Sequence, residues 1–265
     1  MGYNICSFNI LRSARNDEND RDFYDFISKL IAREGIVIFA FQEAKDIFFI
    51  RGLRKNLPPH WKGEYLPNSE LAFVWDSRRV EECSRRNEPR IFMNYPSDTH
   101  MAREPVYGRF KPVDFDLNCE FRLINVHLYH GGDDSLASML IRRIECDLAK
   151  GVIYQMIDKP PMGRDGNFRS IFTVVLGDYN LNCDECNTCG YTDVSTYQDE
   201  GTTLKKKEPG YCNSYDHFSY EKDSSVPRCP PSRINAVEDY PEFGGDFQRY
   251  RGKISDHVPV KLEIR

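Results

Sequence analysis

Long apolar runs are missing from this sequence of 265 residues. A membrane-spanning helix needs about 18 or more apolar residues in a row, so we predict no membrane span. The N-terminus, MGYNICSFNIL, also lacks the basic and long apolar segments of a secretory leader. Cys6 stands where a myristoylation signal has Ser or Thr. The odd number of cysteines, nine, slightly favours the reducing cytoplasm, although secretion after removal of a leader stays open.

An excess of positive charge is also missing, because the formal net charge is −5. No global basic field can therefore hold a nucleic acid, and such a partner would need local basic side chains or bound cations. Arg12, Arg15, Arg103 and Arg109 are candidates for such contacts. The lysine run at 205–207 is more typical of a solvated surface.

Apolar residues are nevertheless abundant, at 40% of the chain, and they occur in short blocks along its whole length. They suffice for a sizeable core. No repeat or linker divides the sequence, so we predict one domain over residues 1–265. Residues 183–233 are polar and turn-rich, which predicts an elaboration of surface loops on that domain.

Strand and helix patterns are mixed along the chain. The segment 20–34 has apolar residues at helical spacing and is followed by Gly35, a common stop signal. Further helices are predicted at about 46–57 and at 136–157, the latter after a possible cap at Asp134. The predicted strands are residues 3–10, 36–41, 71–75, 121–126, 171–176 and 258–264. This mixture predicts an α/β fold.

Several predicted strands end in polar side chains. Asp178 and Asn180 follow the apolar strand IFTVVL, and alternate residues of an extended segment face the same side, so both can point at one target. The other polar residues beside strands are Asn9, Gln42, Glu43, His127, Asp256 and His257. Because ligands of α/β proteins gather at strand ends, we expect these side chains to converge on one edge.

The residue types gathered at these strand ends suit the hydrolysis of a phosphoester. Carboxylate and amide oxygens are ligands of hard cations rather than of zinc. Two histidines can accept and donate protons near neutral pH. A cation would neutralise phosphate charge while a histidine activates water. The expected cofactor is Mg²⁺, with Mn²⁺ or Ca²⁺ as alternatives.

Seven short motifs occur in one order along the chain. They are FNI (8–10), QE (42–43), REP (103–105), NVHL (125–128), GDYN (177–180), SYDHF (214–218) and SDHVPV (255–260). Each motif alone is weak, but the ordered set resembles the endonuclease/exonuclease/phosphatase superfamily, and within it the deoxyribonuclease I-like nucleases. The resemblance spans residues 3–264. It implies a four-layer α/β sandwich, in which two mixed β-sheets pack face to face with helices outside.

The resemblance also implies a role for each matched residue. His257 resembles the general base and Asp216 the carboxylate that orients it, while His127 resembles the second catalytic histidine. Glu70, in NSELAF, is the nearest match to the carboxylate that would orient His127. Asp178 resembles a residue that serves both catalysis and metal binding. The remaining matches are to metal ligands (Asn9, Glu43 and Asp256) and to phosphate-binding residues (Asn180 and Arg103).

Structural roles compete with these assignments. Asn9 and the pair Asp178/Asn180 could form turns, as Asn and Asp side chains commonly do. His127 could be a hydrogen-bonded core histidine, and Arg103 could be an ordinary ion-pair partner. The neighbouring His217 leaves open which residue of SYDHF carries the role. The ordered set of motifs favours the functional interpretation.

The nine cysteines, an odd number, leave at least one unpaired. Cys183, Cys186 and Cys189 lie close together and could bind zinc with Cys212 or Cys229, although their spacing differs from the usual paired CxxC pattern. The resemblance to deoxyribonuclease I implies instead a disulfide between Cys183 and Cys212. Free thiols are the third interpretation.

The motifs leave the substrate open, because the superfamily acts on several phosphoesters with similar catalytic groups. The segments REPVYGRF and SYDHF favour an endonuclease that hydrolyses phosphodiester bonds in DNA, with water activated by His257. The alternative is a phosphatase or phosphodiesterase of inositol phosphates, sphingomyelin or another small or lipid phosphate. A binding protein without catalysis ranks last, because Glu43, His127, Asp178 and His257 are all present. We expect a monomer, and residues 183–233 could bind a protein partner.

Overall fold

The architecture is taken from a computed structural model that describes most of the chain. The described residues are 2–11, 20–44, 47–66, 69–83, 101–113, 119–132, 135–158 and 170–264. Four residues of the sequence predictions, Arg12, Arg15, Asp46 and Asp134, lie outside these ranges.

Two mixed β-sheets of six strands each form the centre of the molecule. The strands of the first sheet are β1 (Tyr3–Asn9), β2 (Ile36–Gln42), β3 (Trp61–Leu66), β4 (Leu71–Asp76), β11 (Ser232–Arg233) and β12 (Val260–Ile264). Those of the second are β5 (Val80–Glu82), β6 (Val106–Pro112), β7 (Cys119–His127), β8 (Ser170–Asp178), β9 (Val194–Tyr197) and β10 (Asp216–Glu221). The strand orders are β11-β12-β1-β2-β4-β3 and β5-β6-β7-β8-β10-β9.

Helices flank the sheets. They are α1 (Arg21–Glu34), α2 (Ile47–Asn56), α3 (Leu136–Asp147), α4 (Tyr154–Asp158), α5 (Cys183–Cys186), α6 (Ala236–Asp239) and α7 (Phe247–Lys253). A π-helical segment, Leu148–Ile153, joins α3 to α4, so the helix predicted at 136–157 is continuous but irregular. Its cap is Ser135, whose side chain accepts from the Ser138 N–H. None of the helices in the described ranges has the length and apolar character needed to cross a membrane.

Three apolar layers hold these elements together. Residues of the two sheets, such as Ile5 and Leu123, meet in a central layer between the sheets. A second layer lies between the first sheet and α1, α2, α6 and α7. A third lies between the second sheet and the α3–α4 helix. The predicted four-layer α/β sandwich is therefore confirmed.

The segment 183–233 contains more regular structure than the sequence indicates. It was expected to form surface loops, but β10 lies within it and pairs antiparallel with both β8 and β9. The sequence of β10, DHFSYE, has no continuous apolar run, so its pattern does not predict a strand. The tertiary pairing with β8 and β9 nevertheless buries five of its six residues.

Gly177 allows β8 to approach β7 closely next to the polar strand ends. Its φ of +146° is unfavourable for a side chain. A Cβ atom there would lie 2.0 Å from the Val126 carbonyl oxygen. Parallel pairing then sets His127 beside Asp178. The close packing of β8 on β7 therefore requires glycine at this position of GDYN, independently of any role in catalysis.

Candidate active site

The strand registers bring most of the predicted residues to one edge of the two sheets. Asp178 ends β8 and is paired with His127 at the end of parallel β7 and with Asp216 at the start of antiparallel β10. In the other sheet, Asn9 at the end of β1 is paired with Gln42 at the end of β2. The prediction that these polar strand ends converge is confirmed by the geometry.

Buried polar links join the two sheets beneath this edge. Gln42 Nε2 donates to Asn125 Oδ1 at 2.8 Å, and Asn125 Nδ2 donates to the Phe41 carbonyl at 3.0 Å. Ser255 Oγ donates to the Asn9 carbonyl at 2.7 Å and accepts from the His257 N–H at 3.1 Å. The SDH turn is thereby fixed to the end of β1. Ser255 was not singled out from the sequence, although its place in SDHVPV was the available signal.

Asp178 is the centre of the site. Its Oδ2 accepts from Asn9 Nδ2 at 2.8 Å and lies 3.7 Å from Nε2 of both His127 and His257. Its Oδ1 accepts from the Asn180 N–H at 2.9 Å. The competing turn interpretation is thus also correct, because one oxygen forms the turn while the other faces the two imidazoles. The side chain is almost fully buried.

His257 is paired with Asp216, as the motif resemblance implied. The distance from His257 Nδ1 to Asp216 Oδ2 is 2.8 Å. His217 instead contacts the Leu181 carbonyl through Nε2 at 2.9 Å, which settles which residue of SYDHF faces His257. Burial disfavours the charged imidazole, but Asp216 and Asp178 outweigh that effect and raise the pKa of His257 to about 10.

His127 has the opposite electrostatic environment. Burial, opposed by Asp178 and reinforced by Arg103, lowers the pKa of His127 to about 3, so the ring is neutral at physiological pH. Its Nδ1 is buried and has no hydrogen-bond partner in the described part of the chain. Glu70 is therefore not a hydrogen-bond partner of His127 Nδ1 in this structure. Glu70 lies in the turn before β4, with φ +57°, and its carbonyl accepts from the Ala44 N–H.

Oxygen atoms suitable for a cation surround Asp178. Asn9 Nδ2 contacts Glu43 Oε1 at 3.2 Å as well as Asp178 Oδ2, so a single amide spans the two carboxylates. Glu43 has a φ of +59°, an uncommon conformation that recurs at functional sites. Asp256 Oδ2 is bound by Arg251 at 3.0 Å, whereas the buried Oδ1 has no hydrogen-bond partner among the described residues.

This donor set fits a hard divalent cation. Among the described residues, Asp178, Asp216 and His257 are the one group of three whose potential ligand atoms lie within 4.8 Å of one another. Because Asp216 and His257 already bind each other, we favour the carboxylate oxygens of Asp178 and Glu43 as ligands. The Asn9 carboxamide would join them by rotating, because its Nδ2 now faces the two carboxylates and its Oδ1 accepts from the Leu11 N–H at 3.1 Å. Carboxylate and carboxamide oxygens are the donors that Mg²⁺, Mn²⁺ and Ca²⁺ prefer.

Solved structures resemble this chain over its full length. A TDP2 from D. rerio, crystallised with a single-strand DNA product, is 14% identical with a TM-score of 0.65, covering 100% of this chain and 99% of that chain. An endonuclease/exonuclease/phosphatase family protein from Bacteroides thetaiotaomicron is 14% identical with a TM-score of 0.65, covering 100% and 97%. A mannosyl-6-phosphatase from the same organism is 15% identical with a TM-score of 0.64, covering 99% of each chain.

This chain has the endonuclease/exonuclease/phosphatase fold. No family model and no curated protein matches the sequence. At these levels of identity the likeness concerns architecture, so the activity is argued from the site itself.

The phosphate-binding candidates lie beside His127 in this fold. Arg103 lies near enough to His127 to help lower its pKa. Asn180, with φ +49°, donates through Nδ2 to the Leu128 carbonyl at 2.9 Å. Its Oδ1 is 3.1 Å from Nδ1 of His130. His130 was not predicted, although its position three residues after His127 offered a signal.

Arg109 is not a surface contact for a nucleic acid. It is 8% exposed, and its guanidinium forms two hydrogen bonds of 2.9 Å with the Glu120 carboxylate. Glu120 also accepts from Arg122 at 2.7 Å. This buried network lies at the end of β7 away from His127, so the sequence prediction for Arg109 is wrong.

The cysteines follow the third interpretation of the sequence, that of free thiols. All nine are free thiols. Cys183 donates to the Thr196 carbonyl, and Cys212 contacts Thr203, so the implied disulfide between them is not formed. Cys146 of α3, which the sequence reasoning did not group with the others, is buried in the same apolar cluster as Cys186 and Cys189. Spacing along the chain could not reveal this neighbour, because it comes from a separate helix.

Proposed function

We propose that this protein is a divalent-cation-dependent phosphoesterase that acts as an endonuclease on DNA. The observation that carries the proposal is the carboxylate of Asp178, which lies 3.7 Å from Nε2 of both His127 and His257. Acidic oxygens flanked by two imidazoles suit the cleavage of a phosphodiester. The oxygens can hold a cation that stabilises negative charge, and the imidazoles can transfer protons at the same place. The structural likeness to a TDP2 that binds a DNA product supports the choice of polymer.

In this proposal His257 is the general base. Asp216 binds Nδ1, so Nε2 is the atom that faces the reacting edge and accepts the proton of the attacking water. Asp216 also fixes the ring orientation and stabilises the imidazolium that forms. His127 is neutral and can donate a hydrogen bond to a phosphate oxygen or to the leaving group. Arg103 and Asn180 orient the phosphate.

Asp178, Glu43 and Asn9 would hold the cation, and the orphaned oxygen of Asp256 is a further candidate. A bound divalent ion would offset the carboxylate field and stabilise negative charge on the phosphate. The offset matters for His257, because a general base must be unprotonated at working pH. The pKa of about 10 describes the protein without a cation, and a positive charge near Asp178 would lower it.

A small phosphomonoester or phosphodiester is the second candidate substrate. The likeness to a mannosyl-6-phosphatase, over 99% of each chain, supports it as directly as the TDP2 likeness supports DNA. The same groups would serve both substrates, since attack by water at phosphorus is common to both. Inositol phosphates and sphingomyelin belong to this second class.

Nicking of supercoiled plasmid tests the proposal. The protein is incubated with Mg²⁺ or Mn²⁺, with EDTA as the cation control. We expect cation-dependent nicking that falls by about 10²- to 10⁴-fold in His257→Ala, the usual contribution of a general base. His60→Ala is the matched control, because His60 lies by the far end of β4, next to Ser77 and Asp76.

The outcomes separate the two substrate classes. Nicking that needs both the cation and His257 supports the endonuclease. Absence of nicking by the folded protein rejects it, and mannose 6-phosphate, inositol phosphates, sphingomyelin and bis(p-nitrophenyl) phosphate are then assayed with the same variants. Activity that survives His257→Ala would contradict the assigned chemistry for either class.

A further inference from the structure

Helix α3 presents its polar side to the interior of the protein. Ser138, Arg142 and Glu145 are 6%, 3% and 2% exposed, and their spacing of four and three residues places them on one face. A surface helix normally buries its apolar side, and burial of polar groups costs free energy unless they are hydrogen bonded. The outward-facing apolar residues are Leu136, Leu140, Ile141 and Ile144, at 88%, 59%, 39% and 47% exposed.

Glu145 uses both carboxylate oxygens on backbone groups of two separate segments. Oε1 accepts from the Ala102 N–H at 2.5 Å, and Oε2 accepts from the Tyr129 N–H at 2.6 Å. One turn earlier, Arg142 donates to the His130 carbonyl at 2.5 Å. A single helix face thus ties two chain segments, 101–105 and 128–131, to each other and to itself.

Both segments belong to the candidate active site. Ala102 immediately precedes Arg103, and Tyr129 lies between His127 and His130. The second segment also packs tightly on the helix, because a Cβ atom on Gly131 would lie 2.5 Å from Ser138 Oγ. One buried carboxylate therefore links the segment that contains Arg103 to the segment that follows His127.

We propose that Glu145 and Arg142 are positioning residues that hold Arg103 and the segment after His127 in register with the catalytic edge. The inference deepens the proposed phosphoesterase function and rests on it where substrate is concerned. The polar face of α3 belongs to none of the seven motifs. In this proposal its role is to position the residues that bind the substrate. Because Glu145 holds two backbone N–H groups and Arg142 holds a backbone carbonyl, loss of either residue displaces the segments without removing any group that contacts substrate.

Kinetics of Glu145 variants test this role. Displacement of a reacting group by about 1 Å can cost about 100-fold, so we expect kcat/KM to fall by about 10- to 100-fold in Glu145→Ala. Glu145→Gln keeps one acceptor oxygen and should retain an intermediate activity. In Arg142→Ala we expect a smaller fall, and in Arg143→Ala, the exposed neighbour, none.

A double-mutant cycle separates positioning from general weakening of the fold. If Glu145 acts through Arg103, the losses in Glu145→Ala and Arg103→Ala will not multiply in the double variant. Glu120→Gln is the matched control, because Glu120 is also buried and hydrogen bonded but lies at the far end of β7. It should lower the melting temperature and leave kcat/KM unchanged. Fully multiplicative losses, or an equal fall in Glu120→Gln, would overturn the proposal.

Amide hydrogen exchange gives a readout that needs no substrate. The N–H groups of Ala102 and Tyr129 should be protected in the wild-type protein and exchange much faster in Glu145→Ala, while amides of β10 stay unchanged. Unchanged protection at both positions in Glu145→Ala would reject the positioning role of Glu145 even in an active enzyme. Conversely, a wild-type protein without phosphoesterase activity would refute the proposed function while leaving this structural test intact.

Discussion

At the residue scale, the site is organised by one carboxylate shared between two histidines with opposite electrostatics. Asp178 is equidistant from the imidazoles, yet the pKa of His127 is lowered to about 3 and that of His257 is raised to about 10. Burial acts in the same direction on both rings. The difference comes from Asp216, which binds His257 directly, and from Arg103, whose positive charge disfavours the charged form of His127.

The first prediction concerns the pKa of His257 in EDTA. Asp216→Asn should lower it more than Asp178→Asn, because Asp216 supplies both the larger charge effect and the hydrogen bond. The folded-state pKa lies above the unfolded value of about 6.5. The imidazolium therefore stabilises the fold fully below about pH 6.5, and this contribution is lost as the pH rises towards 10. NMR titration measures the pKa, and an unchanged value in Asp216→Asn would contradict the assigned cause.

The second prediction concerns cation binding. Mg²⁺ at about 100 times its dissociation constant should stabilise the fold by about 2.7 kcal/mol, which is a rise of several degrees in melting temperature. Glu43→Gln removes one charge next to Asn9 and Asp178 and should abolish most of that rise. Thermal unfolding with and without EDTA measures it. Glu82→Gln on β5 is the control and should keep the full shift.

At the scale of elements, the active edge depends on how closely β7 and β8 approach. The parallel register aligns Cys119–His127 with Ser170–Asp178 without a shift, so the last residues of the two strands face each other. β10 then adds Asp216 on the other side of β8. Any change in separation at this end of the sheet would alter the His127, Asp178 and Asp216 geometry together.

The third prediction is that Gly177→Ala destabilises the protein strongly. The added Cβ would meet the Val126 carbonyl at 2.0 Å in a backbone conformation that side chains disfavour, so β8 must move. We expect loss of about 3 kcal/mol or more, in the range of severe strain or overpacking mutations. Gly252→Ala in α7, where a Cβ meets no atom within 4 Å, is the control. Equal melting temperatures for the two variants would refute the packing argument.

At the scale of the whole molecule, the fold exposes some of the cysteines to solvent and buries others. Cys212 and Cys229 are exposed, and Cys6, Cys119 and Cys146 are buried. Burial also raises the pKa of the thiols of Cys6 and Cys119, which further slows their reaction, because the thiolate is the reactive form. The three layers of core therefore protect most of the cysteines regardless of their spacing in the sequence.

The fourth prediction is that a thiol reagent labels Cys212 and Cys229 first in the native protein. Mass spectrometry of the labelled peptides identifies them, and denatured protein provides the full count of nine. A disulfide between Cys183 and Cys212 would remove Cys212 from the rapidly labelled pair. Protection of Cys212 that is reversed by a reductant would therefore contradict the free-thiol structure.

The sequence by itself determined most of the residues that reach the active edge. Strand ends are local signals, because an apolar run that stops at Asp178 or His127 identifies both the strand and the polar side chain that terminates it. The motif order then implied the fold. Helices at 20–34 and 136–157 were visible for the same local reason, since the spacing of apolar residues needs no tertiary information.

Only the tertiary structure decided which polar groups face each other. Asp216 and His217 alternate across β10, and the register with β8 selects Asp216 as the partner of His257. Arg109 was wrongly predicted as a surface contact because its burial is also set by tertiary packing. The inward polar face of α3, which includes Glu145, could not be recognised from the sequence for the same reason. Residues far apart in sequence meet through strand pairing and helix packing, and local periodicity carries no information about that pairing.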